Sequence, residues 1–422
     1  MNRGFYTIMG AQFFSSLADN ALLIAAFYAL ATINAPEWMT PLLKSSFVIS
    51  YVLLAAFVGA FADCMPKGRV MFVTNVLKII GCALMFAHVH PLIAYGVVGM
   101  GAAAYSPAKY GILTELLPAE KLVAANGWIE GLTIASVIFG TGLGGALINP
   151  GVSTALLNTL QHVPLLDYII KTPLEAALSI VMLLYITATI FNLYILDTGA
   201  KYARQATNPI ELITDFTRCC KTLWADKLGQ ITLSITTLFW GAGAVLQFLV
   251  IYWAEVSLNL PLDKAAVIPA VSAIGIAFGA VAAGRFVPIQ KSLSVMPFGV
   301  AMGVVVMSMT LVHSVWMAYP LLILIGALSG YFVVPMNALL QHRGHVLMSA
   351  GHSISVQNFN ENVSIIIMNG FYAFMVKSHL SINIIIISFG MFVSCTTMMV
   401  MAKHRANQRD HDSMALIGEK KH

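Results

Sequence analysis

The sequence predicts an all-α membrane protein of about twelve transmembrane helices arranged as two sets of six. Three observations predict it. Of the 422 residues, 59% are hydrophobic and only 10% charged, where soluble domains carry about a quarter charged residues. The apolar runs repeatedly reach the roughly 20 residues that a helix needs to cross about 30 Å of hydrocarbon. No segment shows the period-2 alternation over about 10 residues that marks a transmembrane strand.

Turn punctuation sets the spans at 5–32, 42–63, 69–88, 91–114, 123–148, 174–196, 230–255, 266–286, 293–313, 317–340, 350–376 and 381–402. The first follows Arg3 without a small-residue cleavage site and reads as a retained span, not a leader. It carries Gln12, Ser15, Ser16 and Asp19 at i, i+3, i+4 and i+7, one polar stripe near mid-membrane, with the amide of Asn20 beside it. Between spans two and three, GAFADCMPKGRV (59–70) places Asp63 before a Gly68-Arg69 turn. Asp63, Gly68 and Arg69 read as conformational-switch residues, because a carboxylate there can hold a helix N-terminus or a basic group. Lys78 stands alone at the middle of span three and is read with them as a gating residue.

Span four sets Tyr105 and Lys109 on one face, with Pro107 loosening the backbone between them. Span five adds Asn126, Glu130 and Thr133, then GTGLGG (140–145), a close-packing element with no preceding strand to make it a phosphate loop. Residues 149–173 are too long for a tight turn and predict an interfacial helix on the outer surface. The longest polar stretch, 197–229, predicts a linker with an amphipathic helix from Pro209 to Trp224 on the inner leaflet. It divides the chain into an N-terminal half (1–196), a C-terminal half (230–402) and a tail (403–422). A faint repeat supports the division, since Pro107 precedes Pro335 by 228 residues and span one precedes span seven by 225. The second half is rich in amides: Gln247 in span seven, Asn337 and Gln341 in span ten, and Gln357, Asn358, Asn360, Glu361 and Asn362 in span eleven.

Placing the N-terminus in the cytoplasm puts seventeen basic residues inside and four outside, which predicts cytoplasmic termini. Intramembrane polar groups are costly and therefore face the bundle interior. They predict a cavity lined by spans one, four, seven and ten, with five and eleven beside them, in which Asp19 has Lys109 and Glu361 as neighbours. In the alternative reading, Asp19 or Glu361 salt-bridges Lys78 or Lys109 only to hold helices together. A proton relay through a carboxylate also stays open. The five cysteines form no C-x-x-C pair, so neither a metal site nor a cofactor is expected. No nucleic-acid module is present. HVPLLD (162–167) has the H-x4-D spacing of an acyltransferase, but it lies in the outer loop without an accompanying block, so the chain is not read as an enzyme.

Six plus six parallel repeats with both termini inside resemble the major facilitator superfamily, as does the 59–70 loop, with two extra residues between Asp63 and Gly68. FFSSLADNALL, KGRVMFVTNVLKIIG, GVVGMGAAAYSPAKYGILTELLPAEKLVAANGWIE, LFWGAGAVLQF, GYFVVPMNALLQHRG and VQNFNEN together resemble the bacterial lysophospholipid transporter family. The resemblance implies transfer of lysophosphatidylethanolamine and lysophosphatidylglycerol from the outer to the inner leaflet of the bacterial inner membrane. Reacylation inside by an acyl-ACP synthetase/acyltransferase would follow. It maps headgroup and gating roles onto Asp19, Asn20, Lys109 and Glu361. Gln247 stands where the family carries an arginine, which shifts the phosphate-pairing role toward Lys109 or Lys78. A proton-coupled exporter of amphiphilic small molecules would need a similar greasy cavity with a carboxylate, and is the competing expectation.

Overall fold

The computed structural model describes residues 3–36, 39–164, 166–410 and 417; the rest of the expected tail lies outside them. In chain order the helices are α1 (Arg3–Thr32), α2 (Met39–Leu53), α3 (Ala55–Asp63), α4 (Lys67–Phe86), α5 (Pro91–Leu116), α6 (Ala119–Ile148), α7 (Pro150–Gln161), α8 (Leu166–Ile169), α9 (Pro173–Leu193), α10 (Pro209–Ala225), α11 (Gly229–Ser257), α12 (Leu262–Ala265), α13 (Ile268–Phe286), α14 (Met296–Met307), α15 (Val315–Leu347), α16 (Ala350–Lys377) and α17 (Ile382–Asp410). Short 3-10 turns flank α14 at 289–295 and 308–311.

Nine of the described spans are long and apolar enough to cross a membrane, and α2 with α3 makes a tenth if the bent pair is one span. Two more helices, α5 and α16, have 26 and 28 residues but dilute their apolar content with glycine and tyrosine in one and amides in the other. Together they match the twelve predicted spans. The second departs from a straight rod, bending 65° at Leu54. There the hydrogen-bond ladder restarts, with the Leu54 carbonyl accepting from the N–H groups of both Phe57 and Val58.

Local sequence sets several helix ends. Thr172 and Glu175 form a capping box ahead of α9, with Pro173 at its first position, where a missing N–H costs nothing. Asn149 caps α7 by accepting from the Gly151 N–H, again before a proline. The expected outer-loop helix is therefore α7 with α8, and its Leu156 packs on the apolar cluster that includes Leu178 and Val181 of α9.

The chain forms two compact units: Met1–Ile112 with Ala135–Ile213, and Leu113–Ile134 with Thr214–His422. In the first, α9 packs along both α1 and α4, and Gly140 and Gly144 of α6 press against the Leu17 and Ala21 carbonyls of α1 at contacts that a Cβ would close to 2.6 and 2.9 Å. In the second, α13 packs on α15, α14 on α17 and α11 on α16. At the α13–α15 crossing a Cβ on Gly279 or Gly330 would run into the backbone carbonyl of Ala327 or Ile276, a small-residue contact of the kind that brings membrane helices together. Large apolar side chains also point outward, among them Ile93, Phe139, Leu183 and Phe278. That surface suits hydrocarbon, not water.

Candidate functional site: two buried polar clusters

The first cluster grows from the polar stripe of α1. Asp19 uses both carboxylate oxygens: Oδ2 accepts from Lys78 Nζ of α4 at 2.7 Å, and Oδ1 from the Tyr185 hydroxyl of α9 at 2.8 Å. Lys78 also donates to Ser15 Oγ at 3.0 Å, and Ser15 donates to Asn75 Oδ1 at 2.8 Å. The ammonium lies 5.0 Å from the centre of the Tyr105 ring of α5. Lys78 is almost fully enclosed, its side chain 2% exposed, whereas that of Asp19 is 17% exposed. The cluster joins four helices by a pair of opposite charges and three aromatic or hydroxyl neighbours. The buried Tyr105 hydroxyl and Asn75 Nδ2 find no hydrogen-bond partner among the described residues. Such orphans are rare where neither water nor a ligand satisfies them.

This geometry corrects one expectation. The neighbour of Asp19 is Lys78, the pairing named in the alternative reading, where the cavity reading expects Lys109. Lys109 is buried nearby in sequence on α5, with its ammonium 4.1 Å from the centre of the Tyr110 ring. The reason is helix order. Because α9 packs against both α1 and α4, the mid-membrane position of α4 comes to face the stripe of α1. Asn20 turns its amide back on its own helix, donating to the Ser16 carbonyl at 2.8 Å. Gln12 is buried on the same helix. Tyr185 was not among the predicted residues; its signal was a phenol at the middle of an apolar span, whose hydroxyl needs a partner.

At the α3–α4 turn, Asp63 pairs with Lys67, four residues on. Arg69 is exposed, and Gly68 lies against Ile195.

The second cluster lies in the other unit. Asn126 and Gln341 exchange two hydrogen bonds, 2.9 Å from Asn126 Nδ2 to Gln341 Oε1 and 3.0 Å in return. Gln357 Nε2 donates to Asn337 Oδ1 at 3.0 Å and to Glu361 Oε1 at 2.8 Å. Glu361 and Glu130 are both buried. Asn358 is buried, its carbonyl accepting from Asn362. Gln247 is exposed and has no hydrogen bond among the described residues. A further pair was not predicted: Arg343 grips Asp226 in two-pronged fashion, at 3.0 Å from Nε and 2.8 Å from NH2 to Oδ2, and the other oxygen accepts from the Leu228 and Gly229 N–H groups at the start of α11.

A set of apolar helices that buries paired charges and amides, and presents hydrocarbon-compatible side chains outward, defines a multi-pass membrane protein. The family model of the Major Facilitator Superfamily matches residues 8–369, and the chain belongs to that superfamily. Solved structures agree on the fold. The fucose transporter FucP in its outward conformation aligns with a TM-score of 0.74 at 12% identity, covering 96% of this chain and 98% of that one. A bacterial homologue of the iron transporter ferroportin aligns with a TM-score of 0.67 at 14% identity, covering 97% and 100%. Within the superfamily the chain is a member of the lysophospholipid transporter family. It is 41% identical over 379 residues to the lysophospholipid transporter LplT of Yersinia enterocolitica and to that of Yersinia pestis, 89% of this chain and 88% of each relative.

Proposed function

We propose that this protein carries lysophospholipids, lysophosphatidylethanolamine and lysophosphatidylglycerol, from the outer to the inner leaflet of a bacterial inner membrane. The observation that carries the reading is its 41% identity over 89% of its length to transporters named for that substrate. The chemistry of the clusters supports it. A lysophospholipid offers a phosphate for a cation, an ethanolamine for an acid, a free hydroxyl for an amide and one acyl chain for an apolar slot. Asp19 and Lys78 supply the two charges in one unit, with Lys109 a second cation on α5, and Asn126, Asn337, Gln357 and Glu361 supply amides and an acid in the other. Gln12, Asn20, Tyr105, Glu130, Gln247 and Asn358 complete the proposed substrate contacts. Asp63, Gly68 and Arg69 act as gating residues, with Lys67 as the partner of Asp63.

The two six-helix halves, 1–196 and 230–402, work by alternating access with a lateral opening for the acyl chain, and both termini face the cytoplasm, as the basic-residue asymmetry supports. The delivered lysolipid is then a substrate for a cytoplasmic acyl-ACP synthetase/acyltransferase. The test is uptake of labelled lysophosphatidylethanolamine by spheroplasts that lack a transporter of their own. Cells expressing this chain are expected to accumulate it above the empty-vector level and the Asp19→Asn variant is not; equal counts in all three would reject the reading.

A further inference from the structure

A cavity of about 380 Å³ lies between the end of α3 and the chain that follows α9, within the size range of small-ligand sites. One wall is a single face of α3, since Phe57, Ala60, Phe61 and Cys64 recur at i, i+3, i+4 and i+7. The other is the strap 202–207, which has no regular secondary structure, with Leu212 from α10. The strap is held in place at two points. Ile195 sits on Gly68, where any Cβ would come within 3.0 Å of its Cγ2. Further on, the Tyr202 ring lies 4.7 Å from the Lys67 ammonium.

The charges divide unevenly. Asp63, the acid lining the cavity, is buried and already paired with Lys67, which also donates to the Ala62 carbonyl at 2.7 Å. Arg204 on the rim is exposed and has no hydrogen bond or ion pair to the described residues. Gln205 spends its amide N–H on the Ala203 carbonyl at 2.8 Å, which leaves its oxygen as an acceptor, and Thr207 adds a hydroxyl. An exposed guanidinium beside an aromatic and aliphatic wall matches the interfacial part of a lipid. Phosphate meets Arg204, glycerol hydroxyls meet Gln205 and Thr207, and the first acyl methylenes meet Phe57, Phe61 and Leu212.

We propose that this cavity binds an anionic phospholipid of the inner leaflet, of the phosphatidylglycerol type, between α3 and the strap. The proposal rests on the membrane orientation given above but not on which lysolipid is carried. Cys64 lines the cavity and reports on it. In a chain with Cys82, Cys219, Cys220 and Cys395 replaced by serine, maleimide labelling of Cys64 is timed in nanodiscs of phosphatidylethanolamine with and without phosphatidylglycerol. Phosphatidylglycerol is expected to slow labelling about fivefold, the factor that one interfacial cation supplies, and Arg204→Gln is expected to abolish the slowing. Equal rates in the two lipids, or the same slowing in Arg204→Gln, would overturn it. So would the same slowing by inorganic phosphate in lipid-free detergent, which would assign the cavity to a soluble anion. Native mass spectrometry of the five-cysteine chain gives a second reading: the wild type is expected to retain one more phosphatidylglycerol than Arg204→Gln, and equal retention counts against the site. Labelling of Cys64 from the outside of right-side-out vesicles would instead reject the orientation, while leaving the lipid dependence of the rate to be read separately.

Discussion

Asp19 is held by two residues from two other helices, Lys78 of α4 and Tyr185 of α9, and each can be removed separately. Replacing it with asparagine leaves the Lys78 ammonium, 2% exposed, with Ser15 as its hydrogen-bond acceptor. Breaking one side of a buried pair costs about 3–5 kcal/mol, and the partial exposure of Asp19 points to the lower end. Asp19→Asn and Lys78→Met should each lower thermal stability, while the double variant recovers most of the loss. Uptake decides what the pair is for. If the two charges meet the headgroup, the double variant is stable and still fails to transport; a double variant that transports shows that the pair only holds α1 to α4. Tyr185→Phe removes a single hydrogen bond to a carboxylate, worth about 1.5–3 kcal/mol. It should reduce stability less than Asp19→Asn, and an unchanged melting temperature would show that the phenol does not support Asp19. The polar stripe of α1 was legible in the sequence because a helix fixes which of its own residues share a face. Its partner was narrowed only to one of two lysines, Lys78 or Lys109, because nothing in the spacing of α4 or α5 says which helix stands opposite.

The same limit holds for whole elements. The 3.6-residue period of 209–224 shows an apolar face, which the sequence alone predicts to lie on the inner leaflet. In the structure α10 buries Phe216 and Leu223, with the Phe216 ring edge-on to Phe359 of α16 at 5.4 Å and Trp224 Nε1 donating to Asn360 at 3.3 Å. Ile210, Ile213 and Trp224 stay exposed. Periodicity reports that a face must be covered, not what covers it, and here protein covers part of it. The docking has a chemical readout. Burial, and then the neighbouring Cys219, push the Cys220 thiol up to about 11. With Cys220 as the sole cysteine, alkylation by iodoacetamide should go on rising about tenfold per pH unit through pH 10, because only the thiolate reacts. Phe216→Ala undocks the helix, so in that background the rate should level off near pH 9. A plateau near 9 in the wild-type background would mean that α10 is not packed as described.

Across the whole molecule, the number of spans and their ends followed from composition and turn residues, since the bilayer imposes a length that sequence must satisfy. Long-range partners across the second unit did not follow. Residues 113–134 come before the linker in sequence, yet they pack with the second compact unit, and the reciprocal Asn126–Gln341 pair lies within that packing, at 0% and 2% exposure. Two amides that satisfy each other this fully hold α6 to α15 while leaving no net charge to bury, so the contact is firm but can be remade. Alternating access requires some contact between helices of the two proposed halves to part in each cycle, and a pair of neutral amides costs less to separate than an ion pair such as Arg343–Asp226. Asn126→Cys with Gln341→Cys, in a chain otherwise free of cysteine, allows a short bifunctional methanethiosulfonate to tie α6 to α15. Cross-linked protein is expected to keep its fold by thermal shift and to take up less lysophosphatidylethanolamine than the same double variant before cross-linking, with a thiol reductant restoring the difference. Uptake that survives complete cross-linking would show that α6 and α15 travel together through the cycle, and the moving boundary would then have to lie elsewhere in the bundle.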